Sequence, residues 1–334
     1  METNSESVPI TPPKIVPSII SGLNTVTNHI GIILLPILLD LFLWLGPRFN
    51  LKKLLMPSIA STLDILKNQN LRDLNNMILM AKETWDLLLD RFNLATALRT
   101  YPIGVPSLIS VESPIHTPFG TSQIYNITDL KSAVFLWFLF TIVGLMAGCV
   151  YFYNLARITS SSPIQLSIRN LMWYLLQVIG FTFFLIIFLL IFSIPLSFIL
   201  SIFTILHPVV SQLATVILSL ILLWLLMPLI FTPHGIFANR LNFLSAVLVS
   251  TRMVRMTMPA TVFFILFLII LSQGLDILWR LAPETSWFKF IGIAGHAFIS
   301  TGVIAASFVY YNESNKWIES YINSFRQSEK QQVI

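Results

Sequence analysis

Polar side chains that could bind a proton or an ion occur inside strongly apolar segments. Asp40 lies in LLPILLDLFLWLGPR (residues 34–48), Asp276 shares a later apolar segment with Gln273, and His296 lies in the next one. A polar or charged group inside a bilayer is costly, so such residues usually face a protein interior or a water-filled cavity. A carboxylate beside an imidazole takes up and releases protons near neutral pH. These four residues form a candidate intramembrane pocket that binds an ion or passes a proton.

A second interpretation of the same residues needs no pocket. Asp276 and Arg280 are four residues apart, one helical turn, so they can pair locally. Asp40 can likewise extend its carboxylate toward the membrane surface. The two interpretations differ in whether Asp40, Asp276 and His296 converge or face lipid separately.

Sequence motifs of known catalytic or metal sites are missing. The chain contains no HExxH, no GxSxG, no phosphate-binding GxxxxGK[ST] and no GxGxxG. Its five histidines are not paired at the spacing of metal ligands, and its one cysteine, Cys149, lies in an apolar segment. We therefore expect no catalytic residue, no metal and no cofactor, which favours a non-enzymatic protein.

The composition places this chain in a membrane. Of its 334 residues, 55% are hydrophobic and 10% are charged, whereas soluble domains have about 25% charged residues. The formal net charge is +5, but the basic residues are scattered at the ends of apolar segments, where they meet lipid headgroups. Because no nucleic-acid-binding motif is present, we expect no nucleic-acid partner.

Six apolar segments approach the length that crosses about 30 Å of hydrocarbon. Residues 170–239 carry no Asp, Glu, Lys or Arg and leave two long spans or three short ones open. Arginines flank this region on both sides, and because basic residues favour the cytoplasmic side, we prefer two. The sequence thus predicts an all-α polytopic bundle of about six transmembrane helices. The predicted spans are residues 19–45, 133–153, 171–202, 213–231, 259–279 and 290–311.

Six crossings put both termini on one side of the membrane. Basic residues in the short connecting segments are concentrated on that side, which the positive-inside rule assigns to the cytoplasm. We expect a multi-pass protein of the plasma membrane with a cytoplasmic N-terminal tail at residues 1–18. A cytoplasmic amphipathic tail is expected at residues 312–334.

Between the first two spans, residues 46–131 form a predicted extracytoplasmic insertion. Apolar residues recur at helical spacing from residue 51 to residue 92, with charged residues between them, which predicts two amphipathic helices. Prolines then interrupt residues 99–120, which predicts an extended loop. The insertion is a predicted contact site for a protein partner.

On the predicted cytoplasmic side, RLNFLSAVLVSTRMVRM (residues 240–256) and KWIESYINSF (residues 316–325) have the pattern of amphipathic helices that lie in the interface. Anionic lipid headgroups are the predicted partners of the arginines near this surface. The candidate headgroup contacts are Arg157, Arg169, Arg240, Arg252 and Arg255.

The layout of residues 155–311 resembles a known group. A short basic linker, a long span, a tight turn, a second span and then FANRLNFLSAVLVSTRMVRM (residues 237–256) resemble the membrane domain of glycerophosphodiester phosphodiesterases and its uncharacterised relatives. LLPILLDLFLWLGPR and the later GHAFISTGVIAASFVYY resemble segments of uncharacterised bacterial multi-pass proteins. In the phosphodiesterases a separate soluble domain is catalytic, and this sequence has no counterpart to it. The resemblance implies a membrane fold without that activity.

Three functions remain open from the sequence. The leading hypothesis is a non-enzymatic membrane protein that moves a small solute or organises the membrane and envelope. The second is a membrane-embedded enzyme that acts on a lipid or lipid-linked substrate, which needs two carboxylates, or a carboxylate and a histidine, near one substrate position. The third is an interaction or sensor subunit that uses the insertion at residues 46–131.

Overall fold

The computed structural model describes residues 13–67, 74–160 and 167–332. Most of the predicted N-terminal tail, residues 1–12, lies outside the described residues, as do residues 333–334. The chain is all-α, as predicted, and 81% helical. The α-helices of the described ranges are α1 Ile15–Asn28, α2 Leu34–Leu45, α3 Lys52–Lys67, α4 Leu74–Arg91, α5 Ile109–Glu112, α6 Leu130–Thr159, α7 Ile168–Leu206, α8 Pro208–Leu226, α9 Thr232–Ala238, α10 Phe243–Arg280 and α11 Lys289–Gln332.

Within the described residues, four very short strands lie in the insertion. Strand β1 (Arg48–Asn50) pairs in parallel with β4 (Ile124–Asn126), and β2 (His116–Thr117) pairs antiparallel with β3 (Gly120–Thr121). The β1–β4 pair ties the beginning of the insertion to its end.

Several helical segments are long and apolar enough to cross a membrane. Within the described ranges there are five, and a sixth if Ile15–Asn28 and Ile30–Leu45 count as one broken span. Two of them fill the region where the sequence left two or three spans open. The five segments are Leu130–Thr159, Ile168–Ile205, Val209–Ala238, Phe243–Arg280 and Lys289–Ser324.

The first predicted span, residues 19–45, is two helices instead of one. The break falls at His29, whose φ of −130° and ψ of 49° are not helical. A 3-10 turn, Ile30–Ile33, then leads into α2. Pro36 lies in the first turn of α2, where a proline is tolerated because its missing N–H has no helical partner to lose. Pro36 therefore fits α2 without accounting for the break at His29.

Two predicted boundaries also differ because helices continue through them. The predicted interfacial helix 240–256 and the span 259–279 belong to one helix, α10, which is kinked at Thr257 (φ −116°, ψ 19°) two residues before Pro259. A proline inside a helix removes one backbone hydrogen bond and clashes with the preceding turn, so it kinks the helix. In the same way, α11 runs from the last span into the predicted tail.

The chain divides into two compact units. The first unit contains Met1–His29, Phe152–Ile270 and Gly302–Ile334, and the second contains Ile30–Tyr151 and Leu271–Thr301.

A buried aromatic cluster surrounds α9 in the core of the first unit. All residues of α9 are buried. Phe237 stacks on Tyr174 with ring centroids 4.9 Å apart, and the His234 ring lies 4.3 Å from that of Phe308. The prolines of MPLIFTP (residues 227–233) end α8 and start α9, because proline fits only the first turn of a helix. The short helix is thereby set off from α8 within the apolar segment Val209–Ala238.

In the second unit, the proline-rich part of the insertion packs against α6. Gly144 faces the backbone of Leu98, and a Cβ atom on Gly148 would lie 2.8 Å from the Cα of Gly104. A larger residue at either glycine would displace this loop. Earlier in the insertion, where the sequence predicted two amphipathic helices, α3 and α4 pack against each other as a hairpin. Lys52 Nζ on α3 lies 2.8 Å from a carboxylate oxygen of both Asp86 and Asp90 on α4.

Candidate functional site

Asp40 lies on the buried face of α2. The buried residues of this helix are Pro36, Asp40, Leu43 and Trp44, which recur at intervals of three and four and so form one stripe. Asp40 is completely inaccessible to solvent. The carboxylate of Asp40 therefore faces the interior of the second unit.

The Asp40 carboxylate holds the start of α5 in place. It accepts hydrogen bonds from the Ser107 hydroxyl, from Leu108 N at 3.0 Å and from Ile109 N at 3.1 Å. These two amides open the short helix α5, whose first N–H groups have no partner within the helix. Asp40 thus acts as an N-terminal cap supplied by another helix, and its oxygens have hydrogen-bond partners.

Asp276 and His296 form a buried pair. Asp276 Oδ1 lies 2.7 Å from His296 Nδ1, and the two residues are 6% and 5% exposed. A carboxylate only accepts hydrogen bonds, so the proton of this contact is on Nδ1. His296 Nε2 is buried and has no hydrogen-bond partner among the described residues. In the neutral imidazole this second nitrogen is an acceptor with a free lone pair.

Further charged side chains lie between Asp276 and the first residue of α11, Lys289. Arg280 Nη2 lies 3.9 Å from Asp276 Oδ2, and Arg280 Nε lies 3.9 Å from Glu112 Oε1. Lys289 Nζ lies 2.5 Å from Glu112 Oε2, and the Lys289 side chain is only 1% exposed. A lysine this deeply buried needs a partner of opposite charge, because an unpaired buried charge is strongly destabilising.

His296 lies among carboxylates. Asp276 is hydrogen-bonded to its Nδ1, and Asp40 is close enough to interact with it electrostatically. An imidazole with one nitrogen held by a carboxylate and the other unengaged can exchange a proton or bind a polar ligand at the free nitrogen.

Two glycines let α11 approach the end of α10 closely enough for the pair to form. Gly292 faces the backbone of Trp279, and a Cβ atom on Gly295 would lie 2.8 Å from the Trp279 ring. Gly295 directly precedes His296 in the chain. The close approach of the two helices therefore positions the imidazole against Asp276.

The structure brings together three of the four predicted pocket residues. Asp276 contacts His296 directly, and Asp40 lies in the same charged cluster. Gln273 is exposed. Sequence reasoning missed Ser107, which lies 67 residues from Asp40 along the chain. It also left out Glu112 and Lys289. The only available signal was the position of Lys289 directly before an apolar segment.

The predicted headgroup contacts all lie in the first unit and are exposed, namely Arg157, Arg169, Arg240, Arg252 and Arg255. Arg240 Nη2 also donates a 2.7 Å hydrogen bond to Asn170 Oδ1, and its guanidinium lies 5.8 Å from the centre of the Trp173 ring. Exposure leaves these side chains accessible to headgroups, so the contacts stay a prediction.

Among the residues that the structure describes, no group of three or more His, Cys, Asp or Glu side chains is arranged to hold a metal ion.

Comparison of the chain with protein-family models, with characterised proteins and with solved structures found no match. The resemblance to the membrane domain of glycerophosphodiester phosphodiesterases stays a prediction.

Proposed function

We propose that this chain is a multi-pass protein of the plasma membrane that moves a small solute together with a proton, and that Asp276 and His296 bind the proton. The unpartnered Nε2 of His296 carries this proposal. A buried acceptor without a donor costs about 1–3 kcal/mol, and once Nε2 is protonated its N–H needs an acceptor, which the transported solute would supply. Asp276 stabilises the resulting imidazolium through the 2.7 Å contact at Nδ1.

The surroundings of the pair fix the aspartate in place. One carboxylate oxygen, Oδ1, faces the imidazole at 2.7 Å, and the other, Oδ2, lies 3.9 Å from Arg280 Nη2. Ionisable residues on membrane helices usually mark the path of an ion or substrate. Our orientation, with both termini in the cytoplasm, puts this pair near the outer surface.

Cellular transport with matched histidine variants tests the proposal. In a strain that lacks the gene, the solute content of cells and medium is compared after complementation with wild type, His296→Gln, Asp276→Asn or His116→Gln. His116 is an exposed histidine of the same unit and serves as the control. We expect wild type and His116→Gln to restore uptake or efflux of at least one solute, and the two pocket variants to fail. A protonophore should abolish the restored transport.

Two results would contradict proton-coupled transport. One is an unchanged solute profile in the deletion strain. The other is full restoration by both His296→Gln and Asp276→Asn. The melting temperatures of the purified variants are compared in parallel, so that a failure to fold is not mistaken for a loss of transport.

A membrane-embedded enzyme is the second candidate, because Asp276 and His296 also have the spacing of a general base and the carboxylate that orients it. Such an enzyme changes a lipid or lipid-linked substrate. Lipid extracts of the deletion strain would then accumulate one lipid species and lose another, and His296→Gln would not reverse this. A transporter predicts an altered solute profile with an unaltered set of lipids.

A further inference from the structure

The first unit contains a polar pocket that the transport proposal does not use. Its volume is about 260 Å³, slightly below the range of pockets for drug-sized ligands. Three asparagines and two oppositely charged residues line most of it. These are Asn239, Asn312, Asn315, Lys316 and Glu319.

The pocket lies where apolar helical segments end. Thr159 and Ser160 at the end of α6 line one side, and Ala238 at the end of α9 lines another. The third side is the part of α11 that follows its predicted span. If these helices cross the membrane, the pocket opens at the level of the lipid headgroups.

On the α11 side of the pocket, the Asn312 side chain is held by hydrogen bonds, whereas that of Asn315 is available to a ligand. Asn312 Nδ2 lies 3.1 Å from Ser160 Oγ and 3.4 Å from the carbonyl oxygen of Thr159. Asn315 Nδ2 is buried and makes no hydrogen bond of standard geometry within the described ranges, and the Tyr311 side chain is its polar neighbour. Because a buried N–H without an acceptor is unfavourable, an acceptor supplied by a ligand would be bound well there.

The two charged residues limit the ligand's chemistry. Lys316 and Glu319 are exposed, lie one turn apart on α11 and form no ion pair with another residue that the structure describes. A ligand with only negative groups would be repelled by Glu319, and a simple cation by Lys316. A small molecule with both charges satisfies both side chains.

We propose that this pocket binds a zwitterion with a primary ammonium group and a phosphate, as in a phosphoethanolamine group. Asn315 Nδ2 and Lys316 bind the phosphate oxygens, and Glu319 accepts hydrogen bonds from the ammonium. The ligand is either the headgroup of phosphatidylethanolamine or free phosphoethanolamine. This site is independent of the proton site, since all its residues belong to the first unit.

Lipid retention measured by native mass spectrometry tests the headgroup as the ligand. The purified protein in detergent is incubated with phosphatidylethanolamine, phosphatidylcholine or phosphatidylglycerol of the same acyl chains. We expect preferential retention of phosphatidylethanolamine, because the quaternary ammonium of phosphatidylcholine has no N–H for Glu319. Glu319→Gln should remove the preference over phosphatidylcholine, and Asn315→Leu or Lys316→Gln should weaken retention about tenfold.

Matched controls are Lys82→Gln and Glu83→Gln, which change exposed charges on α4 of the other unit. They should retain lipid as the wild type does. Free phosphoethanolamine is tested separately by its effect on the melting temperature. Stabilisation of the wild type but not of Asn315→Leu, without lipid selectivity, identifies the free zwitterion as the ligand.

Two outcomes overturn the proposal. One is equal retention of all three lipids by wild type and variants, together with no effect of free phosphoethanolamine. The other is preferential retention of phosphatidylglycerol, which would indicate an anion site in spite of Glu319. Neither result bears on the transport proposal, because no step of the binding assay involves transport or Asp276 and His296.

Discussion

Replacement of Asp40 by alanine should release the loop that its carboxylate holds, without unfolding the rest of the second unit. The substitution leaves the N–H groups of Leu108 and Ile109 buried without an acceptor. Each such group costs about 1–3 kcal/mol, so the local free energy of opening should fall by about 2–6 kcal/mol. The Ser107 hydroxyl can rotate to a new partner and adds little. Asp40→Asn keeps one carbonyl oxygen and should have an intermediate effect.

Hydrogen exchange measured by mass spectrometry reports this opening directly. Even the lower limit of about 2 kcal/mol corresponds to roughly thirtyfold faster exchange, since about 1.4 kcal/mol is a factor of ten. We expect this acceleration in the peptide that covers residues 104–113. Peptides from α6 should exchange at nearly the wild-type rate. Asp64→Ala, which removes an exposed aspartate of α3, should change neither.

The result distinguishes a structural role of Asp40 from a chemical one. Exchange at the wild-type rate in residues 104–113 of Asp40→Ala would refute the capping role. If transport is then lost, Asp40 acts in proton binding together with His296. If exchange accelerates and the loss of transport across Asp40→Asn and Asp40→Ala follows the increase in exchange rate, Asp40 is a positioning residue.

Two further predictions concern charged pairs of the second unit. Lys289→Met should lower the free energy of unfolding of the purified protein by about 3–5 kcal/mol, because it leaves Glu112 without its 2.5 Å partner. The double variant Lys289→Met, Glu112→Gln should recover most of the melting temperature that the single variant loses. Hydrogen bonds with Asp86 and Asp90 raise the pKa of Lys52 above its ordinary value of 10.5. The stability that Lys52 adds to the α3–α4 hairpin is therefore present below pH 10.5 and is lost as the pH rises through the raised pKa. Distances between spin labels on α3 and α4 should broaden only in that alkaline range, and Lys52→Gln should show the broad distribution already at neutral pH.

The sequence did not indicate in which direction a side chain points around its helix. Asp276 and Gln273 are three residues apart on α10, which is about 4.5 Å along the helix axis. Gln273 is close to the same level, yet it is exposed. The buried residues Thr261, Phe264 and Leu268 of α10 define a stripe that passes through residues 272 and 276 and leaves out 273. Since this helix is apolar on all sides, its sequence does not reveal which side is buried.

Contacts between distant segments limited the prediction most. The proline-rich stretch, residues 99–120, was predicted as an extended loop, and its contact with Asp40 through Ser107 and Ile109 was not predicted. Nothing local in either segment indicates the other. A helix break was easier to locate where a proline marks it. Pro259 begins a predicted span, and the kink in α10 lies two residues before it. His29 has no such signal, and the helix nevertheless breaks there.

The way in which each buried polar group is satisfied bears on its role. Asp40 has three donors for its two oxygens, which is enough to explain an aspartate inside an apolar helix by structure alone. The imidazole of His296 is satisfied on one nitrogen only. Buried groups without partners are rare in folded proteins, and each one requires an explanation. A site that exchanges a proton with a solute needs one ring nitrogen that the protein does not engage, and Nε2 is that nitrogen of His296. Functional weight therefore shifts from Asp40, the most conspicuous polar residue of the sequence, to His296.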